Sequence, residues 1–270
     1  MFSISDHEFK QLASYIKNNY GIDLKDEKRA MIEGRLGKIL LQNRISNFSD
    51  YLDYVFSDRT GEAVSTLINK ITTNHTYFMR EPSHFFFMRD KVLPELKKSV
   101  KNKDLRIWSA GCSTGEEPYT IAFIIDEFFG MEKALWDAKI LATDISARVL
   151  KEAVKGVYSG EKVASLPPEW LKKYFIKHES GYEVTDRIKN EVIFRKFNLM
   201  DRTLPFKKKF HVIFCRNVMI YFDKQTKIEL VKKFYDVMEY GAYLFIGHSE
   251  SLYGEETALK YIMPSVYRKE

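Results

Sequence analysis

Two adjacent carboxylates, Glu116 and Glu117, stand directly behind a glycine-bearing loop in the string Ile107-Trp108-Ser109-Ala110-Gly111-Cys112-Ser113-Thr114-Gly115-Glu116-Glu117-Pro118. The apolar run ending at Ala110 reads as a strand. Gly111 and Gly115 allow a tight loop whose backbone can approach a ligand, and Pro118 suits the first turn of a helix. The spacing lacks G-x-G-x-x-G, and two acids sit where a pyrophosphate needs bare N–H groups and a positive helix end. Both facts argue against a dinucleotide. No lysine follows Gly115, so a Walker loop fails as well. A carboxylate at such a loop suits a ligand with an ammonium group and no phosphate. S-adenosylmethionine (SAM) has that group beside a carboxylate, ribose, adenine and sulfonium.

A second acid supports this. Lys139-Ile140-Leu141-Ala142-Thr143-Asp144 reads as a strand ending in Asp144, which can accept hydrogen bonds from both ribose hydroxyls; the alternative role is a helix N-cap before Ser146. Phe197-Asn198-Leu199-Met200 follows another strand and can set a polar side chain and backbone groups near adenine. Methyl transfer from a sulfonium is an in-line displacement, dominated by positioning and desolvation. The acceptor decides what else is needed. The turn after Phe210–Cys215 reads Arg216-Asn217-Val218-Met219, without the Pro-Pro-Tyr used for exocyclic amines of bases. Cys215 lacks the preceding proline of a cytosine-directed nucleophile and reads as a buried strand residue. A carboxylate acceptor is already ionised at neutral pH and needs only cationic donors to orient it, which Arg does best. Arg80 and Arg216 are the candidates, and Tyr221 can add a hydrogen bond.

The elements that must position these groups follow from periodicity. Residues 1–72 carry helical patterns, the first opened by the capping box Ser5-Asp6-His7-Glu8, and hold 10 basic against 10 acidic side chains. Residues 73–84 read as a linker. From Leu105 short apolar runs alternate with helical patterns, which predicts an α/β, doubly wound, mostly parallel sheet in a domain spanning 85–270. The stretch 157–195 interrupts the alternation and reads as a small inserted antiparallel β subdomain, with a hairpin turn at Ser180-Gly181. The chain of 270 residues is 45% hydrophobic with a net charge of +6, and residues 160–209 alone hold 12 basic and 7 acidic groups. That patch fits an acidic protein partner, nucleic acid, or merely a solvated surface. No apolar run reaches membrane-span length and the N-terminus lacks a secretory pattern, so a cytoplasmic protein is expected. The six histidines show no ligand-type pairing, so no metal is expected.

These strings together resemble the CheR-type chemotaxis receptor methyltransferases, which methylate glutamate side chains on chemoreceptors using SAM. The similarity spans nearly the whole chain: the helical N-terminal region, Asn74-His75-Thr76-Tyr77-Phe78-Met79-Arg80-Glu81, the loop Ser113–Tyr119, Asp144, Asn198-Leu199, Phe214–Phe222, and Gly247-His248-Ser249-Glu250-Ser251. The resemblance implies that Asn74, Thr76 and Arg80 reach the cofactor from the linker. It gives Glu117 the methionine end, although Glu116 and Glu117 are not separable by sequence. Asp144 would hold the ribose, with Asn198, Leu199, Asn217 and Val218 along the nucleoside. Arg80, Arg216 and Tyr221 match positions that orient the acceptor, and the product would be S-adenosylhomocysteine (SAH). It further implies docking on the helical bundle of methyl-accepting receptors through a basic helix, here the one with Arg29, Arg35 and Lys38. The insertion hairpin Ile176–Tyr182 is short for members that tether to a receptor's C-terminal pentapeptide. A pentapeptide-independent monomer is therefore expected, with no nucleic acid partner and no membrane insertion. Two alternatives stay open: a SAM-dependent methyltransferase acting on RNA or a small molecule, and a non-catalytic SAM-binding sensor.

Overall fold

The computed structural model describes residues 2–72, 74–252 and 257–270. Thr73 of the expected linker lies outside them. The chain divides into two compact units, one made of the residues up to Asn74 together with Tyr221–Lys227, the other of His75–Ile220 and Ile228–Glu270.

The first unit is built on four helices: α1 (Asp6–Tyr20), α2 (Arg29–Gln42), α3 (Phe48–Ser57) and α4 (Glu62–Ile71). The start of α1 follows from its capping box. The Glu8 N–H donates to Ser5 Oγ at 3.3 Å and the Ser5 N–H to Glu8 Oε2 at 2.8 Å, so two of the donors left over at a helix start are satisfied. Gly21 ends the helix at φ 71°, a left-handed cap that glycine adopts without a Cβ clash. Apolar residues at helical spacing meet inside: Phe9, Leu12 and Ile16 of α1, Ile32, Leu36, Ile39 and Leu40 of α2, and Leu67, Ile68 and Ile71 of α4. Tyr221–Lys227 joins this unit through the Asp23 N–H, which donates to the Tyr221 carbonyl at 2.8 Å.

In the second unit, α5 (Pro82–Phe87) and α6 (Leu93–Ser99) precede β1 (Ile107–Ala110), α7 (Glu116–Phe129), β2 (Ile140–Asp144) and α8 (Ala147–Lys155). There follow β3 (Val157–Tyr158), β4 (Phe175–His178), β5 (Gly181–Val184), β6 (Val192–Lys196), β7 (Phe210–Cys215), the helix Lys224–Val237, and then β8 (Met238–Ile246), β9 (Leu259–Met263) and β10 (Val266–Lys269). Seven strands form one sheet in the order β6-β2-β1-β7-β8-β10-β9, parallel from β6 to β8 and antiparallel at β10 and β9. Near-continuous burial along β1 and β7 fits a sheet covered on both faces. From β1 the chain steps outward to β2 and β6, then returns to β7 on the other side of β1. The ends of β1 and β7 thus form the switch point where sheets of this kind bind ligands.

The inserted sheet β3-β5-β4 is antiparallel and closes at Val184, while β6 at Val192 already belongs to the main sheet. The closing hairpin β9–β10 gave no period in the sequence. Its strands are short, and Ser265 at φ 63° takes the turn position where glycine would have been the signal.

Candidate active site

The loop after β1 is laced to the end of β2. The N–H groups of Gly111 and Cys112 donate to the Thr143 carbonyl at 2.8 and 2.9 Å, and the Ser113 N–H donates to Asp144 Oδ2 at 2.9 Å. Gly111 sits at φ 93°, and a Cβ there would stand 2.4 Å from Val218 Cγ2. Side-chain-free backbone therefore lies directly against Val218, in the turn after β7. Gly111→Ala should destabilise the protein by about 1–3 kcal/mol through left-handed strain plus overlap with Val218. Urea unfolding of the two proteins measures it.

Asp144 is not the helix cap; Ser146 is, its Oγ accepting from the Val149 N–H at 3.3 Å. Each Asp144 oxygen takes one backbone donor, Ser113 N–H at Oδ2 and Ser146 N–H at Oδ1, both at 2.9 Å. The Ile145 N–H also bonds this carboxylate, which leaves at least one of its about four acceptor sites for a hydroxyl. Burial pushes the Asp144 carboxyl above its ordinary range, with the N–H groups of Ser146, Ser113 and Ile145 pulling the other way. A buried acid answered by backbone dipoles fits a diol.

The structure separates the two glutamates. Glu116 is fully buried, with Lys162 Nζ 2.5 Å from Oε1 and Thr114 Oγ1 donating to Oε2 at 2.6 Å; it ties the loop to the insertion. Glu117 accepts from Ser109 Oγ at 2.7 Å and from Arg216 at 2.9 Å, at the switch point itself.

Arg216, expected to reach the acceptor, has a side chain only 2% exposed. Its guanidinium meets Glu117 Oε2 at 2.9 Å, Glu81 Oε2 at 3.0 Å and the Arg80 carbonyl, and lies 5.1 Å over the Phe85 ring. Four of its five N–H donors are committed inside the protein. Arg80 differs: it is half-buried, and its guanidinium donates to the His75 carbonyl at 2.6 Å. Asn217, at φ 59°, donates from Nδ2 to Glu81 Oε1 at 3.2 Å, and its N–H donates to Glu250 Oε2 at 3.0 Å. Glu250 also accepts from Gly247 and Ile220 N–H groups, so the Gly247–Ser251 string works through its acid, as a brace for the turn after β7.

Asn198 and Leu199 follow β6, with Asn198 Oδ1 accepting from the Met200 N–H at 3.0 Å and the Phe197 N–H donating to the Asp144 carbonyl at 3.0 Å. Thr76, Arg80, Glu117, Asp144, Asn198, Leu199, Arg216, Asn217 and Val218 all belong to the second unit. Asn74 and Tyr221 belong to the first, Asn74 donating to Asn69 Oδ1 at 3.4 Å and Tyr221 carrying Lys28 Nζ 5.7 Å from its ring centre. Glu81, Glu250 and His84 were not anticipated. The one signal for Glu81 was an acid directly after Arg80 and before a proline. Glu81, His84 and His248 each offer a ligand atom within 4.8 Å of the others. Glu81 already pairs with the Arg216 guanidinium, and that cation opposes a metal ion there.

Residues 74–267 match the family model described as "CheR methyltransferase, SAM binding domain", and residues 7–72 match "CheR methyltransferase, all-alpha domain". The chain belongs to the CheR methyltransferase family. It is 43% identical over 271 residues to the chemotaxis protein methyltransferase of Borreliella burgdorferi, covering 99% of this chain and 95% of that one. It is 35% identical over 253 residues to the chemotaxis protein methyltransferase of Escherichia coli K12, covering 92% and 86%. As a CheR methyltransferase the protein is a SAM-dependent enzyme of chemotaxis. When bound, SAM supplies an electrophilic methyl group on its sulfonium. The residues present fit it: bare backbone at Gly111, a two-oxygen acceptor at Asp144, and a carboxylate at Glu117 for an ammonium group. Among the described residues of this CheR methyltransferase, no helix is long and apolar enough to cross a membrane.

Proposed function

We propose that this protein methylates glutamate side-chain carboxylates of methyl-accepting chemotaxis receptors, forming glutamate methyl esters and SAH. The observation that carries this reading is the charge state at the switch point. Burial raises the Glu81 carboxyl, but the Arg216 charge and the hydrogen bonds of His248 and Asn217 bring it net below its ordinary range. Glu117 is paired to the same guanidinium. The Glu81 carboxylate, held below its ordinary range, is a poor proton acceptor, and a carboxylate substrate is the acceptor that requires none. The half-exposed Arg80 supplies the planar donor pair that such a substrate needs.

In this reading Glu117 takes the SAM ammonium and Asp144 the ribose hydroxyls. Asn198, Leu199, Asn217 and Val218 line the nucleoside, and Asn74, Thr76 and Arg80 contribute from the linker. Arg80 and Tyr221 orient the acceptor. Arg216, with four of its five N–H donors committed, positions Glu117. Of the basic residues on α2, Arg29 is paired to Asp6 and Arg35 donates to the Lys70 carbonyl at 3.0 Å, which leaves the exposed Lys38 as the freest contact for a receptor helix. The β4–β5 turn, with two residues between His178 and Gly181, supports independence from a receptor pentapeptide. A cytoplasmic monomer completes the proposal.

The test is tritium transfer from methyl-labelled SAM to receptor cytoplasmic fragments. Alkali-labile label on the receptor is expected. Alkali-stable label, label on RNA or small acids instead, or tight SAM binding without transfer would each overturn the acceptor assignment.

A further inference from the structure

Three charged side chains meet at the ends of β1 and β7: Glu117, Arg216 and Glu81. One guanidinium serves two carboxylates, so the trio carries a net charge of −1. Without Glu81 the remaining pair would be neutral. Glu81 is well placed to hold its charge. Its side chain is 13% exposed, and it accepts from Arg216 Nε and a terminal guanidinium nitrogen at 3.3 and 3.0 Å and from Asn217 Nδ2 at 3.2 Å. Its titratable neighbours beyond Arg216 are His84, fully buried and 3.5 Å away, and the exposed His248, which offers a ring nitrogen within 4.8 Å. Burial and the Arg216 charge push the His84 imidazole down to about 3, so it is neutral at physiological pH and leaves the Glu81 charge uncancelled. The backbone points the same way. Met79, Glu81, Ser113 and Asn217 all have positive φ, and holding four non-glycine residues there costs free energy that packing must offset. Such strain concentrates where side chains have to be aimed.

We propose that Glu81 is a specificity-determining positioning residue, adding a negative charge to the SAM site through Arg216 and so shifting selection toward cationic SAM relative to its product SAH. The two ligands share ammonium, carboxylate, ribose and adenine, and they differ by one positive charge on sulfur. An interaction with Glu117 or Asp144 is common to both. A long-range charge is not: removing one negative charge from a partly buried site weakens the more cationic ligand selectively, by roughly tenfold where the two charges stand about 12 Å apart at an effective dielectric constant of about 20. The inference rests on the seating of SAM at Glu117 and Asp144 proposed above, and it concerns cofactor selection alone, independent of the methyl acceptor.

The experiment measures dissociation constants for SAM and SAH by calorimetry on the full chain, alongside the thermal midpoint. Glu81→Gln, close in shape but uncharged, is expected to weaken SAM about tenfold more than SAH. Glu81→Asp, which retains the charge, should leave the ratio of the two constants within about twofold of the parent even if both ligands weaken. Equal losses for both ligands, an unchanged ratio in Glu81→Gln, or an altered ratio in Glu81→Asp would each overturn the proposal; the last readout serves if Glu81→Gln does not fold. Glu117→Gln separates the two readings. It removes the ammonium contact common to both ligands as well as a negative charge, so SAM and SAH should both weaken, SAM the more; a variant that binds both normally would sink the seating of the ammonium without bearing on the ratio in the Glu81 variants.

Discussion

Asp144→Asn is expected to weaken SAM binding about 100-fold, because two hydrogen bonds to a charged acceptor together contribute about 3 kcal/mol. The asparagine keeps one oxygen, but its amide nitrogen would face either the Ser113 or the Ser146 N–H, both now donating at 2.9 Å, so a backbone donor is left unanswered as well. Calorimetric titration of SAM into the two proteins measures the effect. A pH series gives an independent check with a defined sign. Burial raises the Asp144 carboxyl, and only the ionised form accepts from both hydroxyls. Affinity should therefore be full well above the raised value and fall as the pH drops through it, beginning at a higher pH than an ordinary aspartate would impose. Wild-type affinity in Asp144→Asn, or a flat acid limb, would remove Asp144 from the ribose.

Arg80→Ala should reduce kcat/KM for methyl transfer to receptor fragments by about 100- to 1,000-fold, the scale seen when one oriented donor is lost from a reacting centre. The two arginines differ in exposure and in partners. Arg216 is buried and held by Glu81, Glu117 and a carbonyl, whereas Arg80 remains half-exposed and has one guanidinium bond, to the His75 carbonyl. Arg80→Lys should recover little of the rate, since a point charge does not reproduce a planar fork. Initial rates with labelled SAM, at saturating and limiting receptor, separate lost orientation from lost binding. A kcat/KM within threefold of the parent would return the acceptor role to another group.

The loop Gly111–Glu117, the acid ending β2 and the alternation of strands and helices were all readable along the chain, because each depends on neighbours within a few residues. Glycine where φ is positive, an acid at a strand end, and apolar residues at a strand or helix period are local statements. The capping box of α1 was local in the same way, and it forms as its spacing predicts. By itself the sequence determined the fold class, the cofactor type and the family. It could not tell Glu116 from Glu117, since adjacent residues on a helix diverge by about 100° and the partner that each meets is remote. Lys162, 46 positions on, claims Glu116, and Arg216, 99 positions on, claims Glu117. The same distance in sequence hid Glu81, which lies 135 positions from Arg216, and with it the two carboxylates that hold the Arg216 guanidinium. Only the tertiary structure decided these points: which charges are neutralised is a property of groups that the sheet's return from β6 to β7 brings to one switch point, and no local pattern records it.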